Sequence, residues 1–423
     1  MKMFTDANKL GFLPQNNGQE NQKALQAALD SGGTIVVSCP GEYALSGTVY
    51  IGSDTSLICG NGVYVKKVND CGGFTHVILN KGALKKQYDH HISIENLQIM
   101  VNGVDCLDFA VFGLRGQLGF FYVKDLKIAG FRCMDLGEKQ YGIHICTFRD
   151  VLVDDVKIRG DKDGVHLGCG KRFTIRNGVF QTFDDAIALN AHDYDTGNPE
   201  LGWIEKGVVE NCHDLNAENT TGYFCRILAG AWRDWFTGMK VQKSDTVVSD
   251  GRLYRVKAKA DGTVYTSYTQ PVHEAGEQVL DGICWVMVQS GAVYGAGVRN
   301  VTFRDIFLEK ARTAHFSIHF DNDKYSRSYY PDAEIPVQEH LVFDNIRVLH
   351  NENNAFLSIE TPVDTVHILN SFLRDSRVVF YDNGALKDYG KTVLTISRCQ
   401  YFQDKIVENG IKNKKIELHE DEN

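Results

Sequence analysis

The residues with the clearest chemical potential lie between positions 161 and 192, in the stretch DKDGVHLGCGKRFTIRNGVFQTFDDAIALNAH. An Asp-Gly turn at Asp163-Gly164 is followed by a short alternating apolar run. About twenty residues on come two adjacent carboxylates, Asp184 and Asp185, and a second alternating run, Ala186-Ile187-Ala188-Leu189. Cleaving a glycosidic bond by hydrolysis requires one protonated acid and one ionised carboxylate beside the bond. Three aspartates at close quarters supply both states, because mutual repulsion raises at least one pKa. Neighbours on a regular strand point to opposite faces, so Asp184 and Asp185 reach one surface only if the chain bends between the two runs. Taken alone, Asp163 before Gly164 is an ordinary turn residue; taken with the pair, it belongs to a candidate catalytic cluster.

Other candidates surround this centre as substrate contacts. His192 follows the second run directly, and Arg226 comes one repeat after the acid pair. Trp232 and Trp235 lie in a loop-like segment, where an aromatic face can stack on a sugar or be buried in a core. In His315-Phe316-Ser317-Ile318-His319-Phe320-Asp321 the alternation puts His315, Ser317, His319 and Asp321 on one face. Strand spacing separates His315 from His319 by about 13 Å, too far for one ion, so His319 and Asp321 are read as groove contacts and no metal site is expected.

A phrase of alternating apolar residues, an Asn or Asp, and another apolar run recurs from residue 92 to residue 402. Aligning it on Asn96, Asp125, Asp155, Asn177 and Asn211 gives steps of 29, 30, 22 and 34 residues, the uneven period of a solenoid whose turns carry loops. The 18–30 segment carries Leu25 and Leu29 on one face and stops at Gly32-Gly33, as a helix capping the open end of such a stack would. A sandwich of short strands also fits the spacing, but crossover helices are missing and the Asn/Asp anchor repeats. The expected architecture is all-β: a right-handed parallel β-helix with an N-terminal capping helix and a small β-rich insertion. Asp-Gly turns at 250–251, 261–262 and 281–282 mark the insertion as hairpins, dividing the chain into 1–237 (solenoid with cap), 238–292 (insertion) and 293–423 (solenoid continuation and tail). The insertion's Tyr254, Tyr265, Tyr268 and Trp285 either wall the groove, bind sugar rings or pack. The last residues, IVENGIKNKKIELHEDEN, are read as an edge strand and a frayed acidic tail.

Composition narrows the partners. The formal charge of −9 over 423 residues argues against nucleic acid, whose binders carry a basic stripe. No apolar run reaches the length of a membrane span, and the start, MKMFTDANKLGF, lacks a secretory signal's apolar segment. The eleven cysteines are scattered singly, which suits reduced thiols and a cytoplasmic location. The expected partner is a carbohydrate, with no cofactor.

At Lys162-Asp163-Gly164-Val165-His166 and Phe183-Asp184-Asp185-Ala186-Ile187-Ala188-Leu189 the sequence resembles the polygalacturonases of glycoside hydrolase family 28, within the pectate-lyase-like β-helix superfamily. The opening ALQAALDSGGTIVVSCPGEYALSGTVYI looks like the start of many such proteins. The resemblance implies an inverting glycoside hydrolase with Asp184 as general acid and Asp163 and Asp185 positioning the attacking water. That family's Gly-His-Gly and Arg-Ile-Lys strands are absent here; the corresponding stretch reads Thr221-Gly222-Tyr223-Phe224-Cys225-Arg226-Ile227-Leu228. Two other functions stay open: a lyase or epimerase, with Ca²⁺ held by Asp184, Asp185, Asp193 and Asp195, and a non-catalytic, tailspike-like glycan binder.

Overall fold

The computed structural model describes residues 4–218, 220–382, 390–412 and 414–421. The chain winds as a right-handed parallel β-helix in which thirty strands form one continuous hydrogen-bonded network. The helix Gly18–Asp30 closes its first end. It starts with a capping box, in which the Asn17 side chain accepts from the Glu20 N–H and Glu20 accepts from the Asn17 N–H. Leu25, Ala28 and Leu29 on its inner face are buried and shield apolar strand surface that would otherwise meet water. At the other end, Lys415–Glu420 pairs in parallel with Lys391–Ser397 as an edge strand; residues 422 and 423 of the expected acidic tail lie outside the described residues.

One wall of the solenoid carries the candidate site. Its successive strands are Tyr141–Asp154, Val165–Leu167, Ile187–Asn190, Cys225–Leu228, Ala314–His319 and Ala355–Ile359. Ile145, Leu167, Leu189, Ile227, Ile318 and Ile359 are register partners from turn to turn, and all are fully buried. Each such side chain contributes roughly 1.5–3 kcal/mol when taken from water, so this column locks the register. A slip of one residue would drive His166, Arg226 and Ser317 into the core.

The recurring Asn/Asp marks a corner. Asn96, Asp155, Asn177, Asn211, Asp305, Asn345 and Asn370 are left-handed, with φ between 50° and 56°, a conformation that Asn and Asp tolerate because their short polar side chains bond locally. The stack is tied laterally where Asn211 Nδ2 donates to Asn177 Oδ1 at 2.7 Å and Asn177 Nδ2 donates to Asp154 Oδ1 at 2.7 Å. Asp125 does not belong to this corner. The register Ala129–Glu95 sets Gly130, with φ 71°, beside Asn96, and Asp125 turns a second corner five residues earlier. Two corners with similar residues explain the mismatch in the sequence alignment.

Between Cys225–Leu228 and Val298–Leu308 the chain leaves the solenoid. A five-stranded sheet forms from Arg233–Asp234, Thr246–Ser249, Arg252–Lys257, Ile283–Gln289 and Glu277–Leu280, antiparallel apart from its first strand. It has its own core, with Val247, Tyr254, Val256 and Trp285 buried. Tyr254 and Trp285 are therefore packing residues, whereas Tyr268 is exposed.

Candidate active site

The acids occupy a bend. Val179–Thr182 ends before Phe183, and Ile187–Asn190 begins after Ala186, so Asp184 and Asp185 are freed from strand alternation. Asp163 lies in the equivalent bend one turn earlier. The register Val165–Ile187, carried back by two and three residues, sets Asp163 beside Asp185 and Lys162 beside Asp184. The bends bond to one another: the Gly164 N–H donates to Asp185 O at 3.0 Å and the Asp184 N–H to Asp161 O at 3.3 Å. A 221–223 turn packs beneath them, and a Cβ on Gly222 would come within 2.4 Å of the Asp184 carbonyl carbon. Only glycine allows that approach.

Asp163, Asp184 and Asp185 each present a carboxylate oxygen within 4.8 Å of the other two. Asp184 faces a cleft of about 540 Å³ whose lining includes Arg115, Lys162, Tyr194, Arg226 and Asp321. Asp163 and Asp185 are buried behind it. Lys162 Nζ donates to Asp184 Oδ2. Arg226, reaching across from the next turn over the small Ala188, pairs through Nε with Asp185 Oδ2 at 2.8 Å. Its other nitrogens lie 3.8 Å from Asp184 and 3.8 Å from Asp321. Asp185 Oδ1 accepts the Tyr223 N–H at 2.8 Å. Asp163 Oδ2 meets His166 Nδ1 at 2.8 Å, and the His166 ring stacks on Tyr141 at 4.4 Å.

These surroundings divide the proton affinities. Burial and the Asp184 charge push Asp163 up to about 7. Burial, with Asp184 and Asp163 adding to it and Arg226 opposing, pushes Asp185 up to about 8. Asp184 is held below the usual carboxylate range, because Lys162 and Arg226 outweigh its desolvation. The ionised member at neutral pH is thus Asp184, and the retained proton belongs to the buried pair. The family resemblance implies a protonated Asp184 instead; here Lys162, set above it by strand pairing, and Arg226 hold it ionised.

A raised carboxyl pKa has a stability cost with a definite sign. The unfolded chain loses the Asp163 proton near 3.8, the folded chain near 7, so stability falls as pH rises across that window and the penalty is absent below it. Asp163→Asn is expected to be more stable than the parent at pH 8, by on the order of 2–4 kcal/mol. The gap should close near pH 4, as read by thermal unfolding at both pH values.

The remaining sequence candidates separate into two groups. Arg226 and Asp321 line the cleft, and His319 backs Asp321, with Nε2 3.1 Å from its Oδ1. Asp321 is pulled down to about 2 against its desolvation by His319 and Arg226. His192 and Trp232 do not face the cleft. His192 is fully buried, with Nε2 3.4 Å from Thr246 Oγ1, and Trp232 is buried against it, its indole N–H donating to Val293 O. Sequence read His192 as a groove contact after its strand and Trp232 as a loop residue; the insertion packs over both and encloses them. His315 likewise pairs with His350, at 2.8 Å between Nε2 atoms. The insertion does contribute to the cleft wall, through Lys243 and Ala260.

Several residues that sequence reasoning missed hold the site. The side chain of Arg312 is wholly buried with Asp214, at 2.7 and 3.1 Å, and donates to Asp184 O at 3.2 Å and to Thr182 O at 3.4 Å. Lys310 also donates to Thr182 O. Both clamp the carbonyls of the acid-bearing bend. His166 beside Asp163 stacks on Tyr141, whose hydroxyl meets Arg115 and Tyr194 at the cleft. Only His166, three residues after Asp163, lay close enough in sequence to be suspected.

Of the four carboxylates considered for Ca²⁺, Asp184 and Asp185 lie together with Asp163, and each of the four already has a partner. Asp193 accepts from Asn190 at 2.9 Å, Asp195 pairs with Lys243, and Asp184 and Asp185 are engaged by Lys162 and Arg226. A cation held by all four would have to displace these partners.

No family model matches the chain, and no curated protein matches it in sequence. Solved structures do match in shape. The family 28 exopolygalacturonase of Yersinia enterocolitica aligns over 99% of this chain and 78% of its own, with a TM-score of 0.52 and 13% identity. The tailspike protein of E. coli bacteriophage HK620, solved in complex with a pentasaccharide, aligns over 93% of this chain and 66% of its own, with a TM-score of 0.50 and 11% identity. At such identities the likeness speaks for the backbone, and on that ground the chain shares the right-handed parallel β-helix fold of these proteins.

Proposed function

We propose that this protein is a glycoside hydrolase acting on a poly- or oligosaccharide laid across the cleft at Asp184. The observation that carries this reading is the split ionisation of three carboxylates within 4.8 Å: one held charged by Lys162 and Arg226, beside a buried pair whose proton affinity burial raises. In the proposed reaction Asp184 takes the proton of the attacking water, and Asp163 donates its proton to the departing glycosidic oxygen. Asp163 suits that role better than Asp185. One of its oxygens meets His166 while the other has no hydrogen-bond partner among the described residues; both oxygens of Asp185 are engaged by Arg226 and Tyr223. Arg226 holds Asp185 in place and lies near Asp184 and Asp321, where substrate hydroxyls would bind.

A lyase or epimerase would need Ca²⁺ or an unprotonated Lys or Arg as its base. Lys162 is pushed above its ordinary pKa by Asp163 and Asp184, which keeps it protonated. The test is a panel of neutral and uronic-acid glycans, assayed for new reducing ends and for ultraviolet absorbance. Reducing ends without absorbance are expected. An unsaturated, absorbing product would replace this reading with elimination, and binding without cleavage would replace it with a glycan-binding module.

A further inference from the structure

The second corner of the solenoid, away from the acids, gathers a different set of ligands. Asp54, His91 and Asp125 are left-handed residues with φ of 58°, 51° and 52°. The strand registers Ser56–Ser93 and Lys124–His90 place them at the same corner of three successive turns. Neighbouring strand residues normally point apart, but the left-handed turn at His91 brings its ring to the same side as His90. Their Nδ1 atoms are 3.0 Å apart. Asp54 Oδ1 completes a triangle, 3.0 Å from His91 Nδ1 and 3.6 Å from His90 Nδ1.

Two independent features of this triangle match a metal centre. A tetrahedral ion with bonds of about 2.0–2.1 Å spaces its ligand atoms about 3.3–3.4 Å apart, and the observed edges of 3.0, 3.0 and 3.6 Å bracket that value. On the far side of His91, Asp125 Oδ2 lies 3.5 Å from Nε2. A carboxylate there favours the proton on Nε2 and leaves the Nδ1 lone pair aimed at the triangle, the outer arrangement that orients metal-bound histidines. We propose that Asp54, His90 and His91 bind one divalent transition-metal ion of the zinc class, with Asp125 as the orienting partner. Two imidazoles and one carboxylate suit Zn²⁺, Ni²⁺ or Cu²⁺ over Ca²⁺ or Mg²⁺. All four side chains are exposed, so water would fill the fourth position, and the ion would clip one turn of the solenoid to the next. The sequence did not suggest the site because Asp54 and the His pair are far apart along the chain.

The experiment titrates the chelator-treated full chain with zinc chloride, followed by calorimetry and by thermal unfolding. One equivalent of Zn²⁺ and a raised Tm are expected. Asp54→Asn, His90→Gln and His91→Gln should each weaken binding at least about tenfold, the scale of losing a ligand contact, with unchanged circular dichroism. Asp163→Asn should leave zinc binding intact, separating this corner from the carboxylate cluster. Zinc uptake that persists unchanged in all three corner variants, or no uptake by the parent, overturns the proposal.

Discussion

Asp184→Asn is expected to lower the rate of glycan cleavage by about 10²–10⁴-fold, the usual contribution of a positioned acid–base group, with little loss of stability. The amide preserves the shape of the bend, whose backbone contacts to Asp161, Arg312 and Thr182 use only main-chain atoms of residue 184. What it removes is the negative charge facing the cleft. Lys162 loses its partner, but its side chain is about a quarter exposed, so water screens the unpaired charge. Without the Asp184 charge, Asp163 should also lose part of its upward push. Any residual activity should therefore show its basic limb at lower pH than the parent. Reducing-end assays across pH, set beside thermal unfolding, check both halves; full activity in the variant would remove Asp184 from the chemistry.

Arg312→Leu is expected to destabilise the fold by about 3–5 kcal/mol, the cost of leaving one member of a buried ion pair without its partner. The side chains of Arg312 and Asp214 are both inaccessible to solvent, so no water replaces the lost guanidinium. The same change strips donors from the Thr182 and Asp184 carbonyls and loosens the bend that aims the acids. Pairing it with Asp214→Leu should recover much of the stability, since an apolar pair can replace a buried ion pair. Activity should stay low, because the carbonyl donors are still missing. Urea unfolding of the single and double variants, with cleavage rates, separates the two effects. A single-variant loss below about 1 kcal/mol, the scale of a surface pair, would show that the pair does not carry the bend.

The resemblance to family 28 and the local reading agreed on which carboxylates matter, yet the resemblance assigned the proton to Asp184. The difference traces to two cations, Lys162 and Arg226. Lys162 is unremarkable in sequence, next to an Asp-Gly turn. Parallel pairing sets it directly above Asp184, and a cation there holds that carboxylate ionised. His192 and Trp232 went the other way: types suited to sugar binding, one directly after a strand and one in a loop-like segment, were covered by an insertion whose docking surface no local pattern announces.

By itself, the sequence determined the periodic parts of this protein. Alternating apolar residues decide which side of each strand is buried, and Asn and Asp tolerate the left-handed corners, so the solenoid, its capping helix and the presence of an insertion were legible. So was the pair of adjacent acids, because a strand cannot present both without a bend and the flanking runs place that bend. The tertiary structure alone decided what surrounds those acids. Arg226 arrives from the next turn, Arg312 and Asp214 from positions 98 residues apart, and the cleft wall in part from the insertion. Proton affinity depends on burial and on charges within a few ångströms, and stacking turns of unequal length sets those distances in ways that spacing along the chain does not encode.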